Sequence, residues 1–527
     1  MNHIIIIGKF KTVLVTCLLV VSLMPATASA SIILPDVNID NVANIKDVTD
    51  LIDYLLMGGE GGYTVSQGSL SATDFGAVGD GVTDDTEALE RLFATAAAKK
   101  MAVYIPRGTY MIRRPLTLVS GMEVYGDGFT SIIKKFPAAW HKLTNSISTG
   151  VYNDDEYNSI SVMVDGISGY HVGDHCFISY SNNPFIPENT KARYCTYGEI
   201  IEINDSLIVE NGTKKYEVKI KSAHDSEKHG VVYSHPVGAV LSTSFPILRS
   251  WGFKDECINV YIHDICLDGN RQTDGPSYNG VTYEPMEWTN ACIHFDAYGA
   301  NKVNGISYNK HSYNHAIVHC KLINASYDAL SDQGEGGLYV KNCSIQNNAM
   351  SGVHLGTVFK GAVVTGNSMT GNGERGAGVF FCQDVTDVIV EGNTITSFNH
   401  GCSDEEYATV GKFNIIRNNT FNNITEYVFD FLRSTSSRHG GGLLITGNTI
   451  KGLKCPLFAG NYLDDVIISN NNITTVNAES TPSTLIVSNN SNGMIIMGNT
   501  LPNDISISQP VDVTNSTNVV DVSNSWN

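Results

Sequence analysis

The sequence is short of charge and shorter still of bases: charged residues make up 17% of 527, with 34 Lys and Arg against 53 Asp and Glu. The net charge of −19 excludes a general nucleic-acid binder, which needs a basic surface to neutralise phosphates. Past the N-terminal 30 residues no stretch is long and apolar enough to span a bilayer. The 11 cysteines form no Cys-x-x-Cys pair, so neither a zinc site nor a dithiol redox motif is indicated. What is present is an ordinary hydrophobic share of 42%, which rules out wholesale disorder, and 49 glycines and 24 tyrosines beside many asparagines. That mixture leans toward strands and turns. The length allows two or three compact domains or one elongated repeat domain.

Lys9 and Lys11 precede an apolar run from Thr12 to Pro25 and the small-residue end Ala26-Thr-Ala-Ser-Ala30. This describes a cleavable secretory signal over 1–30, and hence a secreted, periplasmic or cell-surface protein with no spanning segment after cleavage. Loss of the two lysines takes the net charge from −19 to −21.

Asp36, Asn38, Asp40, Asn44 and Asp47 stand at positions 1, 3, 5, 9 and 12 of a loop that leads into an apolar-periodic segment, Val48 to Leu56. Oxygen ligands at those spacings wrap a calcium ion. The portion "NIKDVTDLIDYLL" resembles one calcium-binding repeat of a type I dockerin, over 31–57. That family carries two repeats with glycine at loop position 6; here there is one repeat, with Asn41. The resemblance implies a bound calcium and a cohesin-type partner. Gly58-Gly-Glu-Gly-Gly62 opens a flexible linker over 58–70.

The domain that opens at Ser71 reads "DFGAVGDGVTDDTEALE" from Asp74 and then "VYIPRGTY". Asp84 and Glu87 form a capping-box-like start to a helix over 85–99. This string resembles the opening of the pectate-lyase-like superfamily, which includes polygalacturonases, rhamnogalacturonases, mannuronan C5-epimerases and phage tailspikes. The resemblance implies an all-β fold over 71–527, a right-handed parallel β-helix with the helix capping its end.

Repeats support that fold independently. Seven segments, among them Val364-Thr-Gly-Asn367-Ser-Met369 and Ile445-Thr-Gly-Asn448-Thr-Ile450, align on Cys343, Asn367, Asn393, Asn419, Asn448, Asn471 and Asn499. The spacings are 24, 26, 26, 29, 23 and 28 residues, one solenoid coil per repeat with loops of varying length. Stacked coils would let the asparagine amides hydrogen-bond up a ladder. Cys266, Cys320 and Cys343 then read as small core residues. Residues 158–248 lack the ladder but alternate like strands, and read as an inserted small β-barrel or sandwich.

Counting back fifteen residues from the ladder gives another strand, Asp328 to Asp332 and Gly352 to Gly356, with Cys292 to Asp296 as its version in a coil that carries an excursion of about a dozen residues. Alternation with Ile293, Ala329 and Val353 inward would turn His294, Asp296, Asp328, Asp332 and His354 outward together. Asp296 and Asp332 would stand one rung apart, ~4.8 Å. Two carboxyls that close split their pKa values and supply an acid beside a base or nucleophile. Asp332 and Asp296 are thus the candidate catalytic pair, with His354, His294 and Glu335 in support and Asp328 in substrate binding.

Asp268-Gly-Asn-Arg271 with "NASYDALSDQGE" is similar in layout to the mannuronan C5-epimerases, whose Asp-Pro-His is here Leu330-Ser331-Asp332. Arg271, Lys341, His354 and Arg375 remain candidates to hold a uronate. The polygalacturonase signatures Asn-Thr-Asp and Gly-His-Gly are absent. The leading expectation is a secreted polysaccharide-processing glycoside hydrolase. The alternatives are a polysaccharide lyase or C5-epimerase, with calcium available to stabilise an enolate-like anion, and a non-catalytic surface or adhesion solenoid.

Overall fold

Each coil is a circuit of three strands, and the residues at its corners decide where the chain turns. In the computed structural model the described residues are 68–148, 159–179, 196–210, 212–222, 234–250, 256–271, 277–278, 281–282, 290–295, 312–356, 359–373, 375–382, 384–404, 413–436, 439–477 and 479–526. The expected signal segment, calcium loop (Asp36, Asn38, Asp40, Asn44, Asp47) and most of the linker lie outside them, as does Asp296. A representative coil runs through Gly336–Lys341, Ser344–Gln346 and Val353–Leu355. These strands belong to three parallel sheets, here named A, B and C in that order. The A sheet is thirteen strands long on its main path; the B and C sheets have eleven each. The result is a three-sided parallel β-helix.

The A–B corner is a two-residue turn with fixed chemistry. Its first residue is left-handed, with φ of 53° at Asn342, 65° at Gly366, 55° at Asn418 and 66° at Gly447. Glycine and asparagine take that conformation at least cost, which is why they fill the column from Asn342 to Gly498, with Asp264, His319 and Ser523 in it at the two ends. Its second residue points inward. Asn367, Asn393, Asn419, Asn448, Asn471 and Asn499 each donate Nδ2 to the next asparagine's Oδ1 at 2.9–3.0 Å. Each amide also bonds backbone groups, so these buried side chains are satisfied. The expected ladder is present. Cys343 continues its column, its N–H donating to Asn367 Oδ1 at 2.8 Å. Cys266, Cys320 and Cys343 are buried and free, like every other described cysteine.

Helix α1 (Thr86–Lys99) lays Leu89, Leu92, Phe93 and Ala96 against the first coils. It hides sheet ends that would otherwise pair with another chain. Asp84 Oδ1 accepts from the Thr86 N–H and hydroxyl, but the reciprocal bond expected of Glu87 is replaced by an exposed ion pair with Arg91 at 3.8 Å.

The insert is a six-stranded antiparallel sheet whose strand order begins at Trp140–Lys142 and ends at Ser159–Val164. A Leu143–Val164 bridge joins those two outer strands and closes it into a small barrel with its own core, Val162, Cys176, Ile200, Val218 and Leu241 among it. Its boundaries differ from the expected 158–248. Trp140–Lys142 pairs with Val240–Ser242 and so belongs to the barrel, while Leu248–Ser250 already pairs with Leu116–Leu118 in the C sheet.

Candidate active site on the outer face of the C sheet

The C sheet carries the columns that matter. Leu248, Ile293, Leu330, Val353, Val379, Cys402 and Phe429 align rung by rung and fill the interior. The neighbouring column, Arg249, His294, Ser331, His354, Phe380, Ser403 and Asp430, therefore points away from that core, though Arg249, His294, Ser331, Ser403 and Asp430 are buried and only His354 and Phe380 are partly exposed. Rungs are ~4.8 Å apart, so this is a row of mostly polar side chains at even spacing.

His354 is the centre of the row. Its Nδ1 lies 2.8 Å from Asp328 Oδ2, and the other Asp328 oxygen accepts the Ser351 N–H at 2.8 Å. Asp328 stands just before its strand and turns outward, wholly buried, while the His354 side chain keeps 14% exposure. On the opposite edge of the ring, Gln333 Nε2 lies 3.4 Å from His354 Nε2 and 3.1 Å from Ser331 Oγ. The Cys382 thiol also makes a hydrogen-bonding contact with the imidazole. Burial alone would lower the pKa of His354. The Asp328 carboxylate, with Cys382 beyond it, outweighs that and pushes it up to about 10.

Asp332 is placed differently from the expectation. Leu330, not Ala329, takes the inward position, so Asp332 pairs with Phe295 on one side and Leu355 on the other, in a second interior column. A slip of one residue flips a strand's side chains to the other face. Its cause is a corner of unequal length. The C–A connection after Asp332 has three residues, Gln333 to Glu335, whereas the two following coils have four, Gly356 to Phe359 and Cys382 to Val385. Counting back across that corner misplaces the shorter coil. Asp332 is fully buried, its Oδ1 accepting from Gly334 N–H at 2.8 Å and its Oδ2 without a partner. Burial pushes its carboxyl up to about 7, against the opposing Gly334 N–H and His354 charge. Phe295 stands opposite it on the neighbouring rung, and Asp296, the expected partner, lies outside the described residues.

The remaining expected residues scatter. His294 is in the outward row, one rung before Ser331. Glu335 sits in the turn to the A sheet, its N–H donating to Ser312 O at 2.7 Å and its carbonyl accepting from Lys360 at 2.9 Å. Arg375 precedes the C strand Ala377–Phe381. Arg271 follows the B strand Cys266–Asp268, its N–H donating to Asn324 O at 2.9 Å. Lys341 ends an A strand, 5.7 Å from the Tyr339 ring, and so does not join His354 on the C face. Among the described residues no group of three or more His, Cys, Asp or Glu is arranged to hold a metal ion.

Sequence reasoning missed Arg249, Ser331, Gln333 and Cys382, and a second cluster two coils on. There His400 Nδ1 lies 3.3 Å from Asp430 Oδ2, His400 Nε2 3.3 Å from Glu426, and Arg433 3.5 Å from Asp430. Burial, then the Arg433 charge, lowers His400 to about 4. Burial, then the neighbouring Asp430, holds Asp404 well above the usual carboxylate range. Counting forward ten residues from the ladder, Cys320 to Leu330 and Cys343 to Val353, crosses corners of equal length in these coils and finds this row directly.

Residues 69–232 match the family described as Rhamnogalacturonase A/epimerase, pectate lyase-like, and 304–473 match the Right handed beta helix region. Alginate lyase 7 of Azotobacter vinelandii is 28% identical over 195 residues, 32% of this chain and 21% of that protein. Mannuronan C5-epimerase AlgE1 of the same organism is 26% identical over 184 residues, 32% of this chain and 13% of that protein. The chain thus spans about a fifth or less of the length of these curated relatives. Among solved structures, the A-module of the Azotobacter vinelandii mannuronan C-5 epimerase AlgE4 superposes with a TM-score of 0.48 at 12% identity, over 86% of this chain and 96% of that one. With three parallel sheets and a capped end, the chain is a right-handed parallel β-helix, and its opening is similar to the family described as pectate lyase-like.

Proposed function

We propose that this chain is a polysaccharide-processing enzyme that binds its glycan along the outer face of the C sheet. The observation that carries the reading is the Asp328–His354 pair at 2.8 Å, set in an evenly spaced row with Arg249, His294 and Ser331. A repeating ligand needs repeating partners, and a solenoid face supplies them at fixed intervals. Of the finer readings, the geometry favours a uronate-bearing glycan. A cationic His354, whose side chain keeps 14% exposure, suits a carboxylate on the sugar and the anion formed when its α proton leaves, whereas Arg249, three rungs away, is fully buried. The hydrolase reading loses its neighbouring-rung pair, because Asp332 faces the core. Asp404 does not restore it: its carboxyl is raised by burial, but it aligns with Phe381 in the same interior column as Asp332, while Asp430 stands in the neighbouring column.

The test is a panel of uronate and neutral polysaccharides read for reducing ends and for ultraviolet absorbance. Unsaturated products, or epimerised residues without chain cleavage, agree with the uronate reading. Reducing ends without absorbance turn the assignment to hydrolysis. Tight binding with no product from any glycan in the panel overturns the enzymatic reading in favour of an adhesive solenoid. His354→Gln should cut the rate by about a hundredfold or more if the imidazole acts on the reacting sugar.

A further inference from the structure

We propose that Cys382, His354 and Asp328 form a thiol acyl-transfer centre that removes ester substituents from the glycan held on the C face. The proposal rests on that face being the glycan site and adds a second chemistry to it.

The arrangement is that of nucleophile, base and orienting acid. Asp328 Oδ2 takes one ring nitrogen of His354 at 2.8 Å, ahead of the strand. Cys382 contacts the same imidazole and lies beyond the strand, its N–H donating to Leu355 O at 2.8 Å, which fixes the thiol beside the His354 rung. Phe380 closes the far side, its ring edge-on to the imidazole at 4.8 Å. Gln333 places a side-chain amide on the same edge, 3.1 Å from Ser331 Oγ, where a donor would meet a developing oxyanion. Cys382 also differs from the other described cysteines. Seven of the nine lie within the two apolar cores, and Cys382 is the most exposed of them all, at 6%. Such recognition by geometry and role does not depend on fold.

The step balances without a cofactor. The Cys382 thiolate adds to the ester carbonyl carbon, and the oxygen becomes an oxyanion. The C–O bond to the alcohol breaks, His354 gives its proton to the leaving alkoxide, and a thioester remains on Sγ. His354 then takes a proton from water while the hydroxide adds to the thioester carbonyl. The C–S bond breaks, returning thiolate and imidazolium and releasing the acid. Ester and water become alcohol and carboxylic acid.

The test uses the full chain with p-nitrophenyl acetate and with pectin that carries methyl and acetyl esters, reading nitrophenolate, methanol and acetate. Wild type is expected to release product from both and to show an acetyl adduct on Cys382 by mass spectrometry of acid-quenched enzyme. Cys382→Ala should lose release by about a hundredfold or more, and Asp328→Asn should slow alkylation of Cys382 by iodoacetamide at neutral pH. Circular dichroism and melting of Cys382→Ser check that the loss is chemical rather than a failure to fold. Release undiminished in a folded Cys382→Ala, or no release and no adduct in wild type, overturns the proposal. Cleavage of the small ester through Cys382 with no binding to any polysaccharide overturns the glycan reading and leaves the thiol centre standing.

Discussion

Two side chains on adjacent strands answer opposite questions about charge. His354 is held as a cation by Asp328, so the stability it contributes is present below its unfolded pKa and is lost as pH rises through about 10. Asp328→Asn should remove the carboxylate's hold, and an NMR titration of the imidazole is expected to show its pKa falling by more than a unit. Asp332 behaves in reverse. Its carboxyl is raised from 3.8 to about 7, so the native state holds a proton that the unfolded chain gives up. Stability should fall by up to about 4 kcal/mol between pH 4 and 7 and level off above. Asp332→Asn keeps an oxygen for the Gly334 N–H, and should abolish that slope and raise the melting temperature at pH 8. A variant that melts with unchanged pH dependence would contradict the buried neutral carboxyl. Which of these residues is legible in sequence follows from geometry. His294 and His354 are found because a histidine between two apolar residues marks its own parity. Asp332 is not, since its inward neighbour could be read as Ala329 or Leu330 and only the length of one corner decides.

At the scale of strand and turn, the A–B corner was legible because its length is constant through the repeated coils. From Tyr261–His263 onward every coil spends two residues there, so the column survives gapless alignment and names both the left-handed position and the inward amide. Asn419 joins two ladder bonds, to Asn393 and Asn448, and caps the Val390 carbonyl. Replacing it by Leu strands those partners inside the core and should cost about 3 kcal/mol or more in a urea titration. Gly392, with φ of 65°, is a sharper probe. Gly392→Asn should be close to neutral, since Asn342, Asn418 and Asn470 do the same work at 53–55°. Gly392→Val should cost about 1–2 kcal/mol for the left-handed backbone. Equal melting temperatures for the two variants would count against the turn assignment.

At the scale of the molecule, the described residues form two apolar cores, one running along the solenoid from Ala72 to Ile507 and one inside the barrel. The barrel was visible in the sequence as an interruption of the ladder. Its first strand was not, because Trp140–Lys142 is three residues long and precedes the alternating stretch that marks the rest. Separate cores predict separable unfolding. Ile220→Ala, in the barrel core, should lower one calorimetric transition by about 2–5 kcal/mol and leave the solenoid's in place. A single transition that moves as a whole would show the two cores to be cooperative.

The inequality of the C–A corner reaches further than the placement of Asp332. A chain whose circuits are locked at one edge and slack at another has a preferred place to grow. Residues added between Asp332 and Gly336, or between Phe381 and Thr386, are carried outward at the rim of the C face and leave the ladder in step. One residue added between Lys341 and Ser344 would put every later coil out of phase with those before it. Loop grafting at the slack corner is therefore a route by which such a scaffold acquires new specificity while keeping its axis, and an engineer can use the same seam.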